Sequence, residues 1–110
     1  MIALVKTAKG EGHLELLDLP KPCVRPGHVL IKPEAVGICG SDIARYTGKL
    51  LDYEPPVVLG HEFSGTIAEV GQNVTQFSPG DRIVCETHGT FCGSCLFCMT
   101  GQHALCSARK

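Results

Sequence analysis

Four cysteines crowd into a short segment near the C-terminal end of the chain. Two residues separate each of the first three, and seven residues precede the fourth: Cys92, Cys95, Cys98 and Cys106. From Thr87 onward the apolar periodicity stops, so this segment has little means of burying a core of its own. Thiolates at this spacing can share one zinc ion at about 2.3 Å from each sulfur. Four such ligands leave no open position, so we predict a structural zinc site.

Three other uses of these cysteines compete with zinc. A thioredoxin-like redox pair has a single Cys-x-x-Cys, normally beside a βαβ pattern, which this sequence lacks. An iron–sulfur cluster of the bacterial ferredoxin type matches the first three spacings but needs the fourth cysteine earlier and a proline after it, where Ser107 stands. Free thiols would have no packing reason to cluster in this way. The ligand pattern favours zinc.

Composition excludes several classes of function. The 110 residues suffice for one domain, and ten basic against eleven acidic side chains argue against nucleic acid or an anionic membrane as a partner. No apolar run is long enough to span a membrane, and no secretory signal is visible at the N-terminus. The seven cysteines are an odd number, unlike a secreted disulfide framework. We therefore expect a cytoplasmic protein.

Short apolar stretches separated by glycine and proline predict a mostly β fold, a barrel or sandwich, rather than a parallel sheet. Pro33 lies inside the third stretch, which predicts an edge position or a bulge there. One short helix is expected at residues 41–46, with Ser41 or Asp42 available as its cap. The predicted strands cover residues 2–7, 13–19, 29–38, 65–71 and 82–86.

A second group of metal-binding side chains stands in the middle of the chain. Cys39 is followed about twenty residues later by His61 and Glu62. A lone cysteine is usually a core residue, and a lone histidine usually a hydrogen-bonding one. Together the three offer a thiolate, an imidazole and a carboxylate, which is a set that suits an open, catalytic zinc site.

These motifs resemble the medium-chain dehydrogenase/reductase family. Residues 60–65, Gly-His-Glu-Phe-Ser-Gly, followed by Gly71 and Val74, match the zinc signature of that family. Residues 39–42, Cys-Gly-Ser-Asp, precede the signature at the family's distance, and the four cysteines have its structural-zinc spacing. Within the family, the motifs look most like the sorbitol and galactitol-phosphate dehydrogenases.

The resemblance implies a fold and a partner domain. Residues 1–110 would form a GroES-like, partly open β-barrel catalytic domain with short helices, and residues 87–110 its zinc-stabilised lobe. In the family a Rossmann domain, absent from these residues, carries NAD or NADP, so the intact polypeptide is expected to be longer. The isolated chain is then expected to be inactive, and the full-length protein to form a dimer or tetramer.

The resemblance also assigns roles to residues in the second group. Cys39 and His61 would be ligands of the catalytic zinc, and Glu62 a third ligand or a carboxylate just behind the ligands. A further ligand would come from beyond position 110. Asp42 would accept the other ring N–H of His61. Ser41 would pass the proton of the substrate outward.

The implied activity is the oxidation of a small alcohol or polyol, with hydride transfer to the nicotinamide. Many family members have a histidine at the end of the proton relay, where this sequence has Ala44. Arg45 could pair with a substrate phosphate, although a solvated surface arginine is an equal interpretation, and Tyr46 is a second candidate contact. The alternative function is a zinc-stabilised structural or interaction module without catalysis of its own.

Overall fold

A computed structural model describes residues 1–51, 53–87 and 89–109. Within these ranges, six strands, two short α-helices and one 3₁₀ turn follow each other. They are β1 (Ile2–Lys6), β2 (Leu14–Asp18), β3 (Val29–Val36), α1 (Gly40–Tyr46), β4 (Val57–Val58), β5 (Phe63–Val70), β6 (Arg82–Val84), α2 (Leu96–Met99) and the 3₁₀ turn His103–Leu105. The expectation of a mostly β chain with short helices is confirmed. The ends of the five predicted strands are shifted by at most two residues, and β4 was not predicted.

The strands form two antiparallel sheets of three strands each. One sheet has the order β2-β1-β4 and the other the order β3-β5-β6. Alternate side chains of a strand point to opposite faces, so Ala3 and Val5 of β1 are buried while Leu4 between them is partly exposed. Gly65 and Ile67 show the same alternation in β5.

Strand β3 carries the irregularity that the sequence predicts at its proline. The register between β3 and β5 shifts between Pro33 and Ala35, which is a bulge or related distortion. Opposite Pro33 stands Gly65, where a Cβ atom would lie 2.3 Å from the carbonyl oxygen of Lys32. No side chain fits at that distance, so glycine lets the two strands approach each other at the bend.

The buried core of the described residues is small. Its apolar members are Ala3, Val5, Ile67, Cys98 and Cys106. Between the sheets lies an open apolar groove of about 760 Å³, with walls from β1, β3, β5 and α1. The architecture is therefore a partly open one. No helix in the described ranges has both the length and the apolarity of a membrane span.

A buried lysine ties the turn after β1 to the helix. The Lys6 side chain is fully buried, and its Nζ donates hydrogen bonds to the carbonyl oxygens of Gly10 and Gly12. The backbone N–H of Gly12 in turn donates to the Tyr46 carbonyl over 2.8 Å. This chain of contacts holds the β1–β2 turn against the last turn of α1.

Helix α1 begins one residue earlier than predicted, and its cap differs from the expectation. The N-cap residue is Cys39, so the assignment of Ser41 or Asp42 as the cap is wrong. Asp42 instead occupies the third helical position and reaches back, accepting the Cys39 backbone N–H with Oδ2 over 2.9 Å. This is the returning half of a capping box.

Candidate metal centres

The pairing of β3 with β5 brings the second group of side chains together. The ladder ends at the pair Val36–Phe63, so Cys39, just past β3, and His61, just before β5, lie at the same end of the two strands. Gly60 makes the entry into β5 with a φ of +106°, in a region that favours glycine. The backbone direction at Gly60 therefore brings His61 to the same end of the sheet as Cys39.

Three metal-binding atoms converge at this end of the sheet. The Cys39 Sγ, one ring nitrogen of His61 and one carboxylate oxygen of Glu62 all lie within 4.8 Å of one another. Cys39 and His61 are half-buried, whereas Glu62 is exposed. A thiolate, an imidazole and a carboxylate are the usual protein ligands of zinc, so this donor set fits a zinc ion and leaves room for a further ligand.

Asp42 contacts two of these residues. Its Oδ1 lies 3.6 Å from His61 Nδ1 and is buried without a hydrogen-bond partner among the described residues. Its Oδ2 accepts the Cys39 N–H. The Ser41 hydroxyl lies 3.3 Å from His61 Nε2. Nδ1 therefore faces a carboxylate, which leaves Nε2 as the ring nitrogen that can bind a metal.

The apolar groove opens beside these side chains. Among the described residues of its wall, Asp42 and Tyr46 are the two side chains that carry polar groups. Ile43 of the same helix also lines the groove. Arg45 is half-buried, and its guanidinium stands 5.9 Å from the centre of the Tyr53 ring. Tyr53 could not be singled out from the sequence, because a ring that packs under an arginine leaves no spacing pattern.

The four cysteines of the lobe form a closed cluster of sulfurs. Their Sγ atoms all lie within 4.8 Å of one another, and none is in a disulfide. The separations are 3.8 Å for Cys92–Cys98, 3.5 Å for Cys95–Cys98 and 3.7 Å for Cys92–Cys106. Four sulfurs at about 2.3 Å from a tetrahedral zinc would be about 3.8 Å apart, so the cluster fits that ion.

Backbone N–H groups and burial act differently on these thiols. The N–H groups of Ser94 and Cys95 lower the pKa of Cys92 to about 6. The Cys92 N–H likewise lowers the pKa of Cys106. At Cys98, loss of solvation raises the pKa of the metal-free thiol to about 12. At Cys92 and Cys106 the thiolate, which is the form that binds a metal, is thus easier to form than in an ordinary cysteine.

Two aromatic rings of the lobe stack on each other. The Phe91 and His103 rings stack with their centres 4.1 Å apart and their planes within 3°. This contact was not predicted, because the two residues are distant in sequence and share no motif. The predicted lobe of residues 87–110 also includes His88 and Lys110, which lie outside the described residues.

Comparison with known proteins relates the chain to dehydrogenases. The model of the alcohol dehydrogenase GroES-like domain matches residues 25–110. The sorbitol dehydrogenase of Halalkalibacterium halodurans is 47% identical over 100% of this chain and 32% of its own length. The D-arabitol-phosphate dehydrogenase of Enterococcus avium is 44% identical, over 100% of this chain and 31% of its own.

A solved structure shows the same fold. The cobalt- and zinc-bound thermostable alcohol dehydrogenase of Pyrobaculum aerophilum superimposes with a TM-score of 0.87 at 31% identity, over 98% of this chain and 32% of that one. The expected GroES-like fold and the resemblance to zinc-dependent dehydrogenases are thereby confirmed. The chain spans about a third of the length of the curated relatives it matches. With most of its length matched, the chain belongs to the alcohol dehydrogenase GroES-like domain family.

Proposed function

We propose that the chain is the metal-binding catalytic domain of a zinc-dependent, NAD(P)-linked alcohol or polyol dehydrogenase. One observation carries the proposal: the donor atoms of Cys39, His61 and Glu62 lie within 4.8 Å of one another beside an open apolar groove. A site with three protein ligands keeps a position for the substrate, as catalytic zinc sites do.

Zinc at this site would supply a Lewis acid that lowers the pKa of a bound alcohol, which would otherwise hold its proton near neutral pH. Cys39, His61 and Glu62 would be its ligands in this chain, and Asp42 would fix the orientation and tautomer of the His61 ring. The Ser41 hydroxyl, which lies 3.3 Å from Nε2, would accept the proton of the substrate. Beyond Ser41 the proton needs another carrier, because Ala44 has no group that can accept it.

The relatives and the helix beside the site support one substrate class. Relatives that act on sorbitol and on D-arabitol phosphate support a small polyol or its phosphate. Tyr46 lines the groove, and Arg45 on the same helix is our candidate for a phosphate contact. NAD or NADP would bind to a Rossmann domain outside these residues, in a cytoplasmic enzyme that forms a dimer or tetramer.

The four cysteines of the lobe are the basis for a second metal site and for a second candidate function. We propose that Cys92, Cys95, Cys98 and Cys106 hold one structural zinc. Because the four sulfurs match a closed tetrahedron, the lobe would bind zinc with or without catalysis elsewhere. A zinc-stabilised structural module is therefore the alternative, and it predicts one zinc ion per chain where the dehydrogenase predicts two.

Substitution of Cys39 separates the two functions. In the full-length protein, Cys39→Ala should abolish alcohol oxidation and remove one zinc ion, leaving the zinc of the lobe. Cys23→Ala is the matched control, because Cys23 is exposed and lies outside both metal clusters. Metal analysis together with nicotinamide absorbance measures both effects.

Unchanged turnover in Cys39→Ala would refute the catalytic site. A single zinc ion in the unaltered full-length protein would favour the structural module. Visible absorbance from an iron–sulfur cluster would overturn the zinc assignment of the lobe, since zinc–thiolate sites are colourless.

A further inference from the structure

We propose that Gly37 is a positioning residue for the site of Cys39, His61 and Glu62. By having no side chain, it leaves the space in which the Glu62 carboxylate reaches the other two donors. This inference rests on the proposed function, because it concerns how one of the proposed metal ligands is held.

Gly37 lies directly opposite Glu62. The last pair of the ladder between β3 and β5 is Val36–Phe63, and the next position on each strand is Gly37 and Glu62. The Gly37 N–H donates a hydrogen bond to the Glu62 carbonyl oxygen over 2.7 Å. The strand pairing thus continues one residue further, and it fixes the backbone from which the Glu62 side chain projects.

The two residues are closer than ordinary partners in a sheet. A Cβ atom at Gly37 would lie 3.4 Å from the Glu62 Cβ, whereas directly opposite residues usually have Cβ atoms about 4.5–5.5 Å apart. The same atom would lie 3.2 Å from Glu62 Oε2, which is one of the oxygens that can bind a metal. A side chain at position 37 would therefore compete with the carboxylate for its place.

A methyl group added at position 37 should displace the Glu62 carboxylate without destabilising the fold. Gly37 has no left-handed backbone, so alanine can adopt its conformation. Its nearest neighbour would be the far end of a flexible, exposed side chain, which can rotate away. We expect Gly37→Ala to fold and to move the Glu62 carboxylate out of reach of the metal.

Cobalt binding tests this inference without any measurement of activity. With the four-cysteine site first loaded with zinc, Co²⁺ is titrated into the protein, and the cobalt–thiolate absorbance of Cys39 is followed. Gly37→Ala should weaken Co²⁺ binding about tenfold, the lower end of the effect of groups that orient metal ligands. Gly40→Ala is the matched control, because its Cβ would have no atom within 4 Å and its backbone is not left-handed.

A double-mutant cycle separates a displaced ligand from a damaged fold. Glu62→Gln keeps the size of the side chain and its contact with position 37 but replaces the carboxylate by a weaker ligand. In the Glu62→Gln protein, Gly37→Ala should cause no further loss of Co²⁺ affinity. A second tenfold loss there, or wild-type affinity in Gly37→Ala alone, would overturn the inference.

The His61→Ala variant distinguishes a failure of the role proposed for Gly37 from a failure of the proposed function. If His61→Ala binds Co²⁺ like the wild type, no metal site exists at these residues, and the proposed function fails together with the inference. If His61→Ala loses binding while Gly37→Ala keeps it, the proposed function stands and the role of Gly37 alone is refuted.

Discussion

Asp42 Oδ1 lies 3.6 Å from His61 Nδ1, while the other oxygen of the same carboxylate accepts the Cys39 backbone N–H. One side chain thus contacts both of the proposed ligands that are not acidic. An ionised carboxylate only accepts hydrogen bonds, so it favours the ring tautomer with the proton on Nδ1. Nε2 then keeps its lone pair for a metal.

Substitution of Asp42 by asparagine should weaken the metal site without unfolding the chain. The amide oxygen can still accept the Cys39 N–H, but its NH₂ group would face Nδ1 and favour the tautomer with the proton on Nε2. We expect Co²⁺ affinity at the Cys39 site to fall about 10- to 100-fold.

Asp81→Asn is the control for this substitution. Asp81 Oδ2 also accepts a backbone N–H, that of Ser78 over 2.8 Å, but it is not one of the residues that could hold a metal. The Asp81→Asn protein should bind Co²⁺ at the Cys39 site like the wild type. Equal affinity in Asp42→Asn and Asp81→Asn would show that Asp42 does not orient the ring.

Loss of one cysteine of the lobe should remove one metal ion and loosen the lobe. Serine is a weak zinc ligand, so Cys98→Ser should lose one zinc ion per chain, and with it the folding energy that a structural zinc supplies. Elemental analysis and thermal unfolding measure the two effects. Cys23→Ser, at an exposed cysteine, should change neither. Full zinc content in Cys98→Ser would contradict the four-cysteine site.

The thiol of Cys92 predicts a dependence of stability on pH. The N–H groups of Ser94 and Cys95 lower its pKa from 9.0 to about 6. A lowered pKa stabilises the folded chain fully above the ordinary value of 9.0, and this contribution is lost as the pH falls through about 6. The metal-free protein should therefore become less resistant to urea from pH 9 to pH 6.

The lowered pKa of Cys106 acts in the same direction, whereas Cys98, with its pKa raised to about 12, titrates above this window. Urea midpoints of the wild type and of Cys92→Ser, measured at both ends of the range, isolate the contribution of Cys92. An equal pH dependence in the two proteins would be evidence against it.

Removal of the buried ammonium group should destabilise the β1–β2 turn. Lys6→Met leaves the Gly10 and Gly12 carbonyl oxygens without their donor, and such a loss costs about 1–3 kcal/mol. Lys9→Met is the control: Lys9 forms an exposed ion pair with Glu54 over 2.7 Å, which is worth about 1 kcal/mol or less. Urea unfolding of the zinc-loaded proteins compares them, and equal losses would refute the role of Lys6.

Most of the fold could be predicted from local patterns, because apolar and polar residues alternate within the strands and glycine and proline residues separate them. The bulge at Pro33 could be predicted as well, since proline cannot donate to a strand ladder. The N-cap residue of α1 could not be predicted from the sequence. Cysteine is an uncommon cap residue, and the position of Cys39 depends on a carboxylate that reaches back from Asp42.

The two metal clusters could be proposed from residue type and spacing, since ligands of one ion repeat in recognisable patterns. Contacts between distant residues left no such signal. The burial of Lys6, the stacking of Phe91 on His103 and the close approach of Gly37 to Glu62 depend on how segments meet in three dimensions. In particular, a glycine in a sequence does not indicate which neighbouring residue needs the space that its missing side chain leaves.

The ladder between β3 and β5 has a consequence for the accuracy of the site. Cys39 and His61 are held by loops, yet both loops leave the same pair of strands just past Val36–Phe63. A slip of one residue would turn every side chain of the slipped strand to the opposite face and would carry Glu62 away from Gly37. Substitutions that loosen this pairing far from any donor atom should therefore weaken metal binding before they unfold the chain.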